Sequence, residues 1–141
     1  MANNYTEFSA WVPLKTPAEC EWVETLLANP PDDLRPDWCD PEDDPNPEFD
    51  WEIAAEGGAH ALYIYSDGGC GSPDAVETFF KLFLADAPTE LKKLGCQFCF
   101  RCDKPRPDEF GGSAVVVWVD DDGEVKSDWM STYSWLQEKL S

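Results

Sequence analysis

The 141-residue sequence has no apolar stretch of 18 residues, which excludes a helical membrane span. Its opening residues, MANNYTEF, lack the basic flank and apolar core of a secretory leader, so the expected location is the cytoplasm. Positive charge is scarce. Ten Lys and Arg stand against twenty-nine Asp and Glu, for a formal net charge of −19. A field of that sign repels phosphate backbones and anionic lipid and attracts basic protein surfaces. Direct binding of nucleic acid or of a membrane is therefore not expected. Only one His is present, His60, and no second C-x-x-C pair accompanies the cysteines, so the four convergent ligands of a structural zinc site are missing. SDGGCGS (66–72) has neither a Walker lysine nor dinucleotide-binding spacing. Asp120-Asp121-Asp122-Gly123-Glu124 lacks the D-x-D-x-D-G spacing and distant Glu of a calcium loop. No metal or cofactor is expected.

What is present describes one folded domain. Hydrophobic residues make up 43% of the chain and aromatics 13%, with seven Trp and eight Phe, too many for a disordered tail. A chain of this length can bury a single core without covalent staples. Six cysteines (20, 39, 70, 96, 99 and 102) are read as reduced thiols. In CQFCFRC (96–102) strand alternation places Cys96 and Cys102 with Phe98 and Phe100, and Cys99 with Gln97 and Arg101. These cysteines read as small hydrophobes rather than ligands.

FSAWVPL (8–14) alternates as a strand with one buried face. Thr16, Pro17 and Glu19 then give an N-cap, a first-turn proline and a capping box, and Asn29-Pro30-Pro31 stops that helix. FDWEIAAEG (49–57) and ALYIYSD (61–67) read as strands joined by a short connection holding His60. Ser72 and Pro73 open a second helix with the buried stripe Val76, Phe79, Phe80, Phe83 and Leu84. CQFCFRC, SAVVVWV (113–119) and EVKSDW (124–129) are further strands, the last two joined at Asp122-Gly123. Trp129, Tyr133, Leu136 and Leu140 mark a C-terminal helix. The expected fold is α+β: an antiparallel sheet with helices on one face, a ferredoxin-like split βαβ followed by a C-terminal hairpin and helix.

Two segments fall outside that regularity. The first, PPDDLRPDWCDPEDDPNPEFD (30–50), is a long acidic loop with Leu34, Trp38 and Phe49 as anchors. Charge is uneven along the chain: residues 1–70 hold sixteen acids and two bases, residues 71–141 thirteen acids and eight bases. Asp32, Asp33, Asp37, Asp40, Glu42, Asp43, Asp44, Glu48, Asp50, Glu52 and Glu56 lie within 25 residues. Held on a scaffold, they could imitate the phosphates of a nucleic acid and dock on a basic groove. The leading expectation is a non-catalytic binding module, an inhibitor or nucleic-acid mimic aimed at a nuclease or defence complex. The plain alternative is an acidic surface kept for solubility.

The second segment is RCDKPRPDEFGGSAVVVWV (101–119), three bases, two prolines and a glycine pair ahead of an apolar run. Its structural reading is a rigid connection balanced by its own charges, with Gly111-Gly112 allowing positive φ or a bulge. Its functional reading is a ligand loop built on Cys102, Lys104, Arg106 and Glu109, a small enzyme or ligand-binding domain with His60 nearby. CDKPRPDEFGGSAVVV, with YSDGGCGSPDAVETFFKLFL upstream, resembles a family of short uncharacterised bacterial and phage-borne proteins. Their pattern is C-S-K-P-R-x-x-E-F-G-G-G-A-x-x-V, with Asp103 here in place of Ser and Ser113 in place of the third Gly. The resemblance covers about residues 60–141 and implies a compact α+β domain with no assigned reaction.

Overall fold

Phe8, Ala10, Val12 and Leu14 are buried while Ser9, Trp11 and Pro13 are exposed, the alternation of a strand with one wet face. In the computed structural model they belong to β1 (Asn4–Leu14). The structure describes residues 4–35, 47–56, 59–66, 71–102 and 111–141. After β1 come α1 (Pro17–Ala28), a 3-10 turn (Asp32–Leu34), β2 (Asp50–Glu56), β3 (Ala59–Tyr65) and α2 (Pro73–Asp86). β4 (Lys93–Cys102), β5 (Gly111–Val119), β6 (Val125–Ser131) and α3 (Thr132–Leu140) complete the order.

Both long helices start where their first residues dictate. The Thr16 hydroxyl accepts from the Glu19 N–H (3.2 Å), the N-cap half of the expected capping box, and donates to the Glu19 carboxylate (3.1 Å). The same oxygen, Oε1, also accepts the Lys15 N–H, so one side of this acid, only 2% exposed, is hydrogen-bonded while its Oε2 is buried without a partner among the described residues. Ser72 caps α2 through the Ala75 N–H at 3.3 Å, and Pro73 occupies its first turn, where a missing N–H costs nothing.

The six strands form one sheet in the order β2-β3-β1-β4-β5-β6, every described pairing antiparallel. β3 lies between β1 and β2, so the strands joined through α1 are split by the one that follows them. The inner face presents Phe8, Val12, Leu62, Ile64, Phe98, Val115 and Val117. α1 covers it with Val23 and Leu27, and α2 with Val76, Phe79, Phe80 and Phe83. Edge-on ring contacts join neighbouring elements: Trp22 of α1 to Phe83 of α2 at 5.7 Å, Phe49 ahead of β2 to Phe79 of α2 at 5.8 Å, and Phe8 of β1 to Phe98 of β4 at 5.1 Å. The described residues are thus α+β, with an open six-stranded antiparallel sheet and three α-helices. No helix among the described residues is long and apolar enough to cross a membrane.

Two expectations change at the C-terminal end. Trp129, read both as the end of a strand and as the start of the helical stripe, belongs to the strand alone: it faces Val115 across the β5–β6 ladder, stacks on Phe98 at 5.7 Å, and donates its indole N–H to Glu77 of α2 at 2.7 Å. The helix begins only after Ser131, whose hydroxyl accepts the Ser134 N–H. α3 also buries no residue, so its apolar side chains do not pack on the sheet as those of α1 and α2 do. At the start of β5, Gly111 and Gly112 pair in regular register with Phe100 and Cys99, without a bulge. Gly111 takes a positive φ of 159°, and both missing side chains also allow close approach. A Cβ at Gly111 would meet the Thr132 hydroxyl at 3.3 Å, and one at Gly112 the Phe98 carbonyl at 3.2 Å.

Candidate functional site

The acidic run is anchored at both ends by the core. Leu34 is fully buried at the end of the 3-10 turn, Phe49 is buried against Phe79, and the Glu48 N–H donates to the Leu34 carbonyl at 2.7 Å. The Ser72 N–H in turn donates to the Glu48 carbonyl at 2.9 Å, tying this corner to the start of α2. A chain that leaves at Arg35 and returns at Pro47 is thereby clipped at its base.

Around that corner the described acids divide between two sides. Asp32 and Asp33 are exposed on the 3-10 turn, which packs against α2 on the helix side. Arg35 reaches back to Asp32 at 3.8 Å and also donates to the Asn29 side chain at 3.0 Å. Asp50 and Glu52 are exposed on β2, which stands at the edge of the sheet, and alternation turns them away from Trp51 and Ile53. Charged side chains on an edge strand also discourage pairing with another chain. Glu48 is half-buried at the clip. Glu56 ends β2. Asp37, Asp40, Glu42, Asp43 and Asp44 lie outside the described residues, as does the anchor Trp38. The structure therefore brings Asp32, Asp33, Glu48, Asp50 and Glu52 to one corner of the molecule but not onto one face, and Glu56 lies at the far end of β2.

The alternative loop is seen only at its stems. Lys104, Arg106 and Glu109 lie outside the described residues, and Cys102 closes β4. On the other stem, the Gly112 N–H donates to the Thr132 hydroxyl at 2.9 Å, and that hydroxyl donates to the Gly112 carbonyl at 3.2 Å. The base of the loop is stitched to the start of α3. His60 lies at the start of β3, exposed and opposite Leu14, rather than in the connection.

The cysteines separate as strand alternation requires. Cys96 is buried under the helices and Cys99 is exposed on the opposite face, so the two cannot close on one tetrahedral ion. Among the described residues no group of three or more His, Cys, Asp or Glu could hold a metal. Burial pushes the Cys96 thiol up to about 12. Burial, with Glu24 and Glu19 beside it, also raises Cys20. Because the thiolate is the reactive form, iodoacetamide at pH 8 is expected to label Cys99 in the native protein. Cys96 is expected to react only after denaturation. Peptide mapping of the alkylated protein reads both sites, and native labelling of Cys96 at the rate of Cys99 would contradict this packing.

At the turn after β5, the Asp120 carboxylate accepts the Asp122 and Glu124 N–H groups at 3.0 and 2.8 Å and pairs with Lys126 at 3.1 Å. Those bonds hold its carboxyl below the usual range. Gly123 takes φ 82°, which completes a hairpin turn stabilised by its own acid.

One feature of the open face was missed in the sequence. Trp11 stacks on Tyr63 at 4.7 Å, and Tyr63 on Tyr65 at 4.7 Å. Trp11 is 60% exposed. Further along β1, the Arg101 guanidinium lies 4.4 Å from the centre of the Tyr5 ring and pairs with Glu7 at 2.9 Å. The available signal was the aromatic content of the wet face: Trp11, Tyr63 and Tyr65 hold the alternate positions to Val12, Leu62 and Ile64.

Fold and surface together define an α+β sheet domain with two helices on one face, an acidic corner at one edge and aromatics on its open face. The chain matches no family model, no curated protein and no solved structure.

Proposed function

We propose that the protein is a non-catalytic binding module whose acidic corner engages a basic protein surface. The observation that carries this reading is the clip between Leu34 and Glu48, with buried side chains on both sides of it. It fixes the exposed Asp32 and Asp33 near the start of the strand carrying Asp50 and Glu52. A negative surface on a rigid base loses little conformational freedom on docking, and it draws a basic partner in by long-range attraction. The finer form of the proposal is an inhibitor or nucleic-acid mimic working in the cytoplasm, occupying the nucleic-acid groove of a nuclease or defence complex. For the scaffold we propose a ferredoxin-like split βαβ, supported by the order β2-β3-β1-β4 and the insertion of β3 between β1 and β2.

The test is charge reversal at Asp40, Glu42, Asp43 and Asp44 combined with neutralisation of Asp32 and Asp33. Capture of basic nucleic-acid-binding proteins is compared across salt concentrations, with an Asp86→Asn, Glu90→Gln variant as control. Capture is expected to fall by at least tenfold in the first variant and to persist in the control. Wild-type capture is expected to fade as salt shortens the Debye length from about 30 Å to about 8 Å. Equal capture by both variants would overturn the reading. Loss of capture on Lys104→Ala or Glu109→Ala alone would favour the ligand-loop alternative.

A further inference from the structure

Neither α1 nor α2 reaches the outer face of the sheet, and its β2-β3-β1 half is organised. The register places Glu52, Tyr63 and Trp11 in one row across the three strands, with Asp50, Tyr65 and Ser9 in the next row. Strands lie about 4.8 Å apart, so each row spans about 10 Å. The two stacked pairs make a continuous aromatic shelf, and carboxylates flank it: Glu52 and Asp50 on the edge strand, Glu7 along β1. Among the described residues Glu52 makes no ion pair.

The same face already holds one cation in this manner. Arg101 lays its guanidinium on Tyr5 and donates from Nε to the Glu7 carboxylate at 2.9 Å. Ring face plus carboxylate is the pairing that a guanidinium prefers, because it is planar, weakly hydrated and forked. Trp11, Tyr63 and Glu52 repeat those components a few residues away, with no cation of the chain on them among the described residues. We propose that this shelf is a binding site for arginine side chains of a basic peptide segment, stacked on Trp11 and Tyr63 and paired with Glu52.

An aromatic shelf on a sheet could also stack nucleobases. Here the flanking groups are carboxylates and the chain carries −19, so phosphates would be repelled where a guanidinium is attracted. Lysine offers a weaker match: its ammonium is a compact, strongly hydrated point charge that cannot stack. The site therefore discriminates between two peptides of equal charge, which a diffuse acidic surface does not. It shares Asp50 and Glu52 with the acidic corner proposed above, but it does not depend on Asp32, Asp33 or the acids at 40–44.

The test is calorimetric titration of the full chain with an arginine-glycine repeat peptide, a lysine-glycine peptide of equal length, and single-stranded oligothymidylate. The wild-type protein is expected to prefer the arginine peptide. Trp11→Ala and Tyr63→Leu, which leave net charge unchanged, should each weaken it about two- to fivefold and shrink the arginine preference. Glu52→Gln should weaken both peptides. Trp11→Ala is safe for the fold because its side chain is largely exposed, and thermal melts verify each variant. Neutralising Asp32 and Asp33 should leave the arginine-to-lysine ratio unchanged, so failure of this site and failure of the acidic corner read out separately. Equal affinity for the two peptides would overturn the proposal. So would indifference to both aromatic variants, or oligothymidylate binding that competes at the shelf.

Discussion

Replacing Phe79 by Ala is expected to lower the unfolding free energy by about 3–5 kcal/mol. The ring is fully buried and touches Phe49 ahead of β2, and Phe80 and Phe83 on its own helix. Its removal opens a cavity between α2 and the corner that holds the acidic run, and rigid neighbours leave little room for collapse. A domain of this size has about 7–20 kcal/mol in total, so the variant should unfold at distinctly lower urea. Leu136→Ala on the exposed α3 is the contrast and should change stability by about 0.5 kcal/mol or less. Urea titration followed by circular dichroism measures both. A cost below about 1 kcal/mol for Phe79→Ala would mean that α2 does not seat on the sheet through this ring.

Gly71→Ala should cost about 1–3 kcal/mol for the opposite reason, excess volume. An added Cβ would stand 2.6 and 2.7 Å from two atoms of the Phe8 ring and 3.0 Å from the Ser66 Cβ. Neither neighbour can withdraw easily. Phe8 is buried edge-on against Phe98, and Ser66 is held by three bonds. Its N–H donates to the Phe8 carbonyl at 3.1 Å, its hydroxyl donates to the Thr6 carbonyl at 2.8 Å, and that hydroxyl accepts the Gly71 N–H at 3.0 Å. Trimming the ring with Phe8→Leu in the Gly71→Ala background should recover part of the loss. A double-mutant cycle measures this coupling, and strict additivity would show that the two do not meet.

Much of the framework was legible because it is local. Caps at Thr16 and Ser72 act within three residues, and period-two burial along β1 and β3 needs only the order of apolar side chains. Boundaries were less legible. β1 and β4 run further than their apolar segments because Asn4–Glu7 and Lys93–Gly95 are held by pairing with neighbouring strands, whatever their polarity. Trp129 fitted both the end of the strand EVKSDW and, through its spacing to Tyr133 and Leu136, the first turn of the helix. The strand won because Phe98 and Glu77 offer the indole a stack and an acceptor, both remote in sequence. The acidic run was visible as composition, but its division between the helix side at Asp32 and Asp33 and the open face at Asp50 and Glu52 follows from strand alternation at an edge.

By itself the sequence determined the charge, the separate helices and strands, and which face of each is apolar, since these depend on residue types and their spacing. The tertiary structure alone decided that Tyr63 lies beside Trp11, that Arg101 finds Glu7 ninety-four residues away, and that β2 stands at the edge. Such pairings are chosen by the fit of whole surfaces. The entropy of closing the intervening chain grows only slowly with its length, so separation along the sequence leaves little trace of which strands will meet.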